Sequence, residues 1–358
     1  MQYNKSTWPF RENPWSSEVT CDKLLVNWTE GAYATCVTSI VLGFISAFIL
    51  PGFLIMSVII NITLTTVLIA SNRKTRSVIY FIGSSVSNIL VSMAYGLFWY
   101  YLTKGLPYAT SGDKYYFLLY QSESSCKFFR LWHSFSSNLM CNFLLCAAID
   151  RFLIIYFPIK FSNLPNKFAW FAFAIVCLTS FLMTIPLAIV SYILVVRGKL
   201  HCWVQPDSVY LLFYSAIVTN MGPLQLFVTI ILNIMFFINI RKQMTKMLTM
   251  KNTIVADRKQ IHSLRFLIIF SASYAVFGVP QSVVYIMNRA TIIGLISINA
   301  DLCQNIGDII WTLFLCRSLF DIVLSYFYFK PVREACLLVY SGFRKSRNNR
   351  STISSTHQ

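Results

Sequence analysis

The sequence predicts an all-α membrane protein: a seven-transmembrane helix bundle followed by a short amphipathic helix. Three observations carry this reading. Apolar residues make up 56% of the 358-residue chain and charged residues 12%, with a mean hydropathy of +0.60; soluble globular chains carry roughly 25% charge. The charges gather in clusters between long apolar runs. Those runs reach the length of about 20 residues, at 1.5 Å each, that crosses a bilayer.

Residues 1–36 read as a polar, aromatic-containing N-terminal tail. Asn4-Lys5-Ser6 and Asn27-Trp28-Thr29 are N-x-S/T glycosylation acceptors. Asn61-Ile62-Thr63 fits the same pattern but lies within an apolar run. Arg11, Glu12, Glu18 and Asp22 interrupt the start of the chain, and no short apolar core precedes a small-residue cleavage site. No signal peptide is therefore expected, and the first spanning helix would carry the tail across.

Seven charge-poor segments fill residues 37–329. The first spans about 40–70, inside the uncharged stretch between Glu30 and Arg73. The second runs over about 77–103 and the third over about 124–157. The fourth lies between Lys167 and Arg197, the fifth between Asp207 and Arg241, and the sixth between Arg265 and Arg289. The seventh, about 301–328, is interrupted by Asp308, Arg317 and Asp321, whose charges must be paired inside a bundle. The third segment ends in Asp150-Arg151-Phe152. No Asp, Glu, Lys or Arg occurs from Leu131 to Ile149. Cys126 lies about 38 Å from Arg151 along a helix, at the opposite membrane face.

Charge sets the expected orientation. With the N-terminus outside, the inner face holds nineteen bases and three acids, and the outer face nine bases and eight acids. The excess of +17 is thus almost wholly cytoplasmic, as the positive-inside rule requires. It needs no nucleic acid to explain it. Of the ten cysteines, Cys141, Cys146, Cys177 and Cys316 sit in apolar segments and read as small buried hydrophobes. Cys21, Cys36, Cys126, Cys202 and Cys303 fall at or near the outer face. Cys21 is expected to pair with Cys303, tying the tail to the last loop, with Cys36 as the competing partner. No Cys/His spacing suits a metal, and no cofactor is expected.

Residues 330–340 read as an amphipathic juxtamembrane helix. Pro331 suits its first turn, and Val332, Cys336, Leu337 and Tyr340 form an apolar stripe for the inner leaflet. Cys336 is a lipidation candidate; an unmodified interfacial cysteine is the alternative. Residues 341–358 are polar and expected to be disordered.

Two side-chain groupings stand out in the apolar segments. Arg130, His133, Ser134 and Ser137 recur at i, i+3, i+4 and i+7, one face of the outer half of the third helix. They are expected to line a ligand pocket with Tyr285, Asp308 and Trp311. Arg130 suits a carboxylate or phosphate, or pairs with Asp308. Arg317 and Asp321, at i, i+4, share one helix face.

Seven helices, an outside N-terminus, Cys126, Asp150-Arg151-Phe152 and a terminal amphipathic helix together resemble a rhodopsin-like (class A) G-protein-coupled receptor, over about residues 37–340. In that family the third-helix motif is Asp-Arg-Tyr. Ile155 and Pro158 resemble the second inner loop, Asn61 the asparagine of helix one, and Pro223 and Pro280 the prolines of helices five and six. Trp170 resembles the helix-four tryptophan. The resemblance implies a Cys126–Cys202 disulfide. It implies G-protein coupling through Asp150, Arg151, Phe152 and Pro158, and an interior polar switch of Asn61, Asn88, Arg317, Asp321 and Tyr326. In the inactive form Arg151 would pair with Asp150.

The chain departs from the family at several places. Asn88 stands where helix two carries an Asp, and Gly278 where helix six has a Trp. Ile231 replaces a Tyr, and Asp321 to Tyr326 lacks the helix-seven proline. His133 occupies the position of the amine-binding acid, which argues against an amine ligand. The family's sodium site would be filled by the Arg317 guanidinium. Gln260 replaces the acid that usually locks Arg151, which implies high basal activity.

The expected function is ligand-activated signalling. The extracellular ligand is expected to be a neuropeptide or a chemosensory small molecule, and the first outer loop, about Lys104 to Ser125, a lid over it. The partners are a heterotrimeric G protein, with arrestin and a receptor kinase at the C-terminal tail, and the bilayer of the plasma membrane. A receptor-like protein without standard G-protein signalling and a multi-span transporter are the alternatives, although no internal repeat supports a transporter. A retinal receptor is disfavoured because no lysine lies between Arg289 and Lys330. No catalytic motif is present, so no enzyme is expected.

Overall fold

The computed structural model describes residues 8–10, 12–26, 28–70, 75–161, 164–196, 199–204, 214, 223–249, 272–288, 290–291, 295–297, 299–328, 332–334 and 336–337. Helix α1 (Ser16–Val26) is a short surface helix. Helix α2 (Glu30–Ala70) is continuous over 41 residues, with a π-helical turn at Ile45–Ile49. It starts at a Thr29 cap whose side chain accepts from the Ala32 N–H. The helix thus begins within the stretch read as a tail ending at residue 36. Helix α3 (Arg76–Ala109) is π-helical over Ser92–Gly105. Helix α4 (Glu123–Tyr156) is capped by Ser122 and ends before Pro158, which restricts the residue ahead of it. A short helix α5 (Pro158–Phe161) follows, then α6 (Asn166–Ile189). Helix α7 (Pro223–Thr249), a helix α8 over residues 272–288, and α9 (Ala300–Tyr328) complete the bundle.

Among the described residues, five helices are long and apolar enough to cross a membrane: α2, α3, α4, α6 and α9. A shorter apolar stretch occupies Pro223–Asn239 of α7. Their packing order places α4 at the centre, against α3, α6 and α7, while α9 packs on α2 and α3. Polarity is inverted relative to a soluble protein. Ile55, Ile59, Phe171, Leu178 and Phe227 are exposed, whereas Ser84, Asn88, Ser137, Asn138, Ser180, Arg317 and Asp321 are buried. That arrangement suits a hydrocarbon solvent, in which polar groups turn inward and bond across helices.

Helices α2 and α3 approach closely through small residues. A Cβ on Gly105 would lie 2.3 Å from the Ser46 carbonyl oxygen, and one on Gly43 would meet the Tyr108 ring at 2.2 Å. Between α6 and α7 the chain departs from the all-helical expectation. Strands β1 (Ser191–Val196) and β2 (Lys199–Val204) pair antiparallel in register from Ser191↔Val204 to Val196↔Lys199. The β1 residues had counted as the end of the fourth apolar segment. The helix stops at Ile189, and the β-branched run that follows makes the hairpin.

Two disulfides form, Cys126–Cys202 and Cys21–Cys36. The expected Cys21–Cys303 pair is corrected: Cys21 bonds Cys36, only 15 residues away, and fastens α1 to α2. Cys303 is a free, buried thiol near the Val284 carbonyl. At the end of the described chain, Val332 is fully buried in the main apolar core and Cys336 packs partly against it. Val332 therefore belongs to the bundle and not to a membrane-facing stripe; Leu337 is exposed.

Candidate ligand pocket and the polar switch at the far end of α4

A cavity of about 120 Å³ lies at the hairpin end of the bundle, walled by α3, α4, α8 and α9 and roofed by β2. It brings together Arg130, His133, Ser134, Tyr285, Asp308 and Trp311 of the expected pocket. Ser137 lies a turn deeper, fully buried, with its hydroxyl donating to the Ser134 carbonyl at 3.2 Å, and is not among the lining residues.

The π-helical stretch of α3 shapes one wall. A π turn closes from i to i+5, so residues four and five apart share a face. Tyr95, Trp99 and Tyr100 accordingly line the cavity together. Tyr95 stacks on Trp311 at 4.4 Å and packs on the His133 ring at 4.6 Å. His133 Nε2 lies 2.8 Å from the Ala94 carbonyl. A carbonyl only accepts, so Nε2 donates the proton of this bond.

Asp308 pairs with Lys104 of α3, not with Arg130. Its Oδ1 also accepts from Tyr100 at 3.1 Å, and Gln304 reaches both oxygens at 3.2 Å. The acid is thus neutralised and its lone pairs are engaged. Arg130 is held by the roof. Its Nη2 donates to the Cys202 carbonyl at 3.1 Å, and the guanidinium lies 4.2 Å over the Trp203 ring. The Cys126–Cys202 bond fixes that roof to the start of α4.

The N-terminal segment closes the cavity further. Trp8 is 3% exposed, in a cage of Phe10, Trp15, Tyr115 and Phe117. Phe10 bridges to Leu200 of β2, and the Leu200 N–H donates to the Pro9 carbonyl at 2.7 Å. Glu12 lines the cavity and accepts a hydrogen bond from Tyr120. The expected lid is therefore shared. The loop after Ala109 supplies Leu119 and Tyr120, the hairpin supplies His201 and Trp203, and the tail supplies Glu12. Glu12, Lys104, His201 and Trp203 were absent from the expected site. The hairpin alone left a signal, two apolar runs either side of the dipeptide at 197–198.

At the other end of α4, Asp150 is 4% exposed. Its Oδ1 pairs with Arg76 of α3 at 3.2 Å, and Arg76 also donates to the Phe161 carbonyl at 2.7 Å. The expected Asp150–Arg151 pair is replaced by this one. Adjacent helical residues point about 100° apart, while Arg76 comes from a neighbouring helix. Arg151 is half-buried, and Phe152 stacks on Tyr156 at 4.3 Å. The Pro158 side chain, Gln260, Asn4, Asn27 and residues 338–358 lie outside the described residues.

Between the two ends runs a polar interior. Arg317 Nη2 is 3.3 Å from Asp321 Oδ2, and Asp321 Oδ1 accepts from Ser273 at 2.7 Å. Asn61 donates to the Ser57 carbonyl, and the Ser57 hydroxyl meets that of Ser318 at 2.6 Å. Asn88 is buried. Tyr326 departs from the expected switch: it is 36% exposed and packs edge-on against Phe327. No metal-binding cluster of His, Cys, Asp or Glu occurs among the described residues.

No protein-family model matches the sequence, and no curated protein matches it. The architecture defines a helical protein with several helices able to cross a membrane, a cavity at one end and a buried acid–base pair at the other.

Proposed function

We propose that the protein is a divergent rhodopsin-like G-protein-coupled receptor. In this reading seven helices cross the plasma membrane, the N-terminus is extracellular and the C-terminal tail cytoplasmic. One observation carries it. A single helix, α4, lines the aromatic cavity with Arg130, His133 and Ser134 and bears Asp150-Arg151 about 30 Å away. A ligand in that cavity acts on α4, α8 and α9 together. It shifts the population toward a form in which Arg151 is presented to a heterotrimeric G protein. Asp150 takes its ion pair from Arg76 of α3, so the end of α4 that bears Arg151 is tied to a second helix that also lines the cavity.

Cavity size bears on the ligand. An engineered cavity of 150 Å³ holds a benzene ring, and drug-sized ligands need 300–1,000 Å³. A space of about 120 Å³ supports a small molecule over a neuropeptide.

The test expresses the full chain with a promiscuous G protein and screens a small-molecule library for nucleotide exchange. Arg151→Ala should abolish ligand-driven exchange while the ligand still binds. Binding without exchange in the wild type would instead indicate a receptor-like protein that does not signal through G proteins. The departures at Gly278, Ile231 and the end of α9 favour that second reading.

A further inference from the structure

We infer that α7 has a second seat on α4, about half a helical turn nearer the hairpin end, and that Asn138, Asn142, Gln225 and Thr229 form the clasp that selects between the two. The inference goes beyond the signalling reading and does not need it.

The clasp lies in the bundle interior, below the cavity. Asn138 is 0% exposed, Thr229 2% and Gln225 6%. Ser134, which lines the cavity, is one turn from Asn138 on the same face of α4. Unpaired polar groups are costly in such a place, so their arrangement carries information.

Gln225 Nε2 lies 3.4 Å from Asn138 Oδ1 and 3.4 Å from Asn142 Oδ1. Its donor is divided between two acceptors four residues apart, and both bonds exceed the roughly 3 Å of a good one. Asn142 is oriented from the other side, its Nδ2 donating to Ser180 Oγ of α6 at 2.9 Å. Asn138 Nδ2, Gln225 Oε1 and Thr229 Oγ1 have no hydrogen-bond partner among the described residues.

Those three atoms are complementary. Helices α4 and α7 run in the same direction: Asn138 meets Gln225 near the start of α7, and Tyr156, at the end of α4, reaches the Met235 carbonyl at 3.5 Å. Asn138 and Asn142 are about 6 Å apart along the axis, so a slide of α7 by about 3 Å toward the hairpin centres Gln225 on Asn138. There the two amides pair head to tail, Nε2 to Oδ1 and Nδ2 to Oε1. Thr229, one turn behind Gln225, arrives at the Asn142 Oδ1 that Gln225 has left. All three atoms gain partners. The slide also parts Met235 from Tyr156, on which Phe152 stacks, so the move is felt at the Asp150-Arg151 end.

The experiment needs neither ligand nor G protein. Full-length protein in lipid nanodiscs carries spin labels on p-acetylphenylalanine, which leaves the native cysteines alone. One pair is placed at Leu224 and Phe171, the other at Ile234 and Leu182, all exposed positions on α7 and α6. Helix α6 ends at the hairpin, so Phe171 lies toward the far end of the bundle and Leu182 toward the hairpin. Distances are read by double electron–electron resonance. Asn142→Leu leaves Gln225 only Asn138. It should lengthen the first distance by about 2 Å and shorten the second by about as much, the oblique share of half a turn. Asn138→Leu should shift both the opposite way, with the wild-type means in between. Thr229→Val should move the wild type toward the Asn138→Leu values.

Opposite displacements in two variants cannot come from a shared loss of fold, and each variant is checked for an intact melting transition. Distances that coincide in the wild type and both asparagine variants would overturn the inference. So would two pairs that change in the same sense, which is a tilt and not a slide. Displacements as expected, with no ligand found to drive nucleotide exchange, would leave the clasp standing and remove only the signalling. Ligand-driven exchange with immobile distances would do the reverse.

Discussion

Arg317 is 1% exposed inside the bundle, and its carboxylate partner Asp321 is one turn away on the same helix. Its guanidinium lies 5.1 Å from the Tyr274 ring and 4.9 Å from Phe314, while Nε and Nη1 have no hydrogen-bond partner among the described residues. Breaking such a pair leaves one buried charge uncompensated, at a cost of about 3–5 kcal/mol, whereas removing both charges costs less. Arg317→Met should therefore lower the melting temperature sharply, and Arg317→Met with Asp321→Asn should recover part of the loss. Because the guanidinium already neutralises Asp321, melting in NaCl and in choline chloride at equal ionic strength should coincide. A selective rise in NaCl would show a sodium site instead. Arg76 makes the same argument at the Asp150 end. A double-mutant cycle of Arg76→Met and Asp150→Asn should show coupling of about 1–3 kcal/mol in thermal unfolding; additivity would mean that the pair contributes nothing. The Arg317–Asp321 pair was legible because i, i+4 spacing is local. The Arg76–Asp150 and Lys104–Asp308 pairs were not, since their partners lie 74 and 204 residues apart. In the sequence Arg76 looks like one more member of a basic cluster at a membrane face.

Helix α3 presses its backbone against α2 at Gly105. A methyl group there meets a main-chain carbonyl that cannot rotate away, so Gly105→Ala should destabilise the protein by about 1–3 kcal/mol. Gly52, also helical, has nothing within 4 Å of an added Cβ. Gly52→Ala should be neutral or stabilising by about 0.5–1 kcal/mol, as helix propensity dictates. Comparing the two melting temperatures separates close packing from propensity. Apolar run lengths marked the five long apolar helices, but not their ends. Helix α2 starts before the apolar run, at a Thr29 cap, and α6 stops short of it, where β-branched residues turn to strand. The π character of Ser92–Gly105 has no counterpart in an apolar run; it emerges from the fit of Tyr95, Trp99 and Tyr100 against α4 and α9.

At the scale of the whole molecule, exposed apolar belts and a polar interior are what a chain of 12% charge was expected to give. Pocket residues at the hairpin end were found where one helix face repeated polar types. Those on the roof were missed because loops and hairpins bring them in from far along the chain. The proposed orientation has its own check. An N-terminal epitope should be labelled on intact cells and a C-terminal one only after permeabilisation, and labelling of both on intact cells would reverse the charge argument. Removal of each disulfide in turn offers a second test. Cys202→Ser should release β2 from α4 and open the cavity to water-soluble cysteine reagents at Trp203→Cys. Cys36→Ser should free α1 and leave that reactivity low.

The long π stretch of α3 sets which way every residue beyond it faces. Each wide turn takes up a residue that an α turn would leave over, and a one-residue offset in an α-helix is a rotation of about 100°. Register carried from an ordinary helix through Ser92–Gly105 therefore falls progressively out of phase. Tyr95 would still align, but Tyr100 and Lys104 would be assigned to lipid. Single-residue deletions across this stretch should reveal the same offset as a sudden change in which side chains face the cavity.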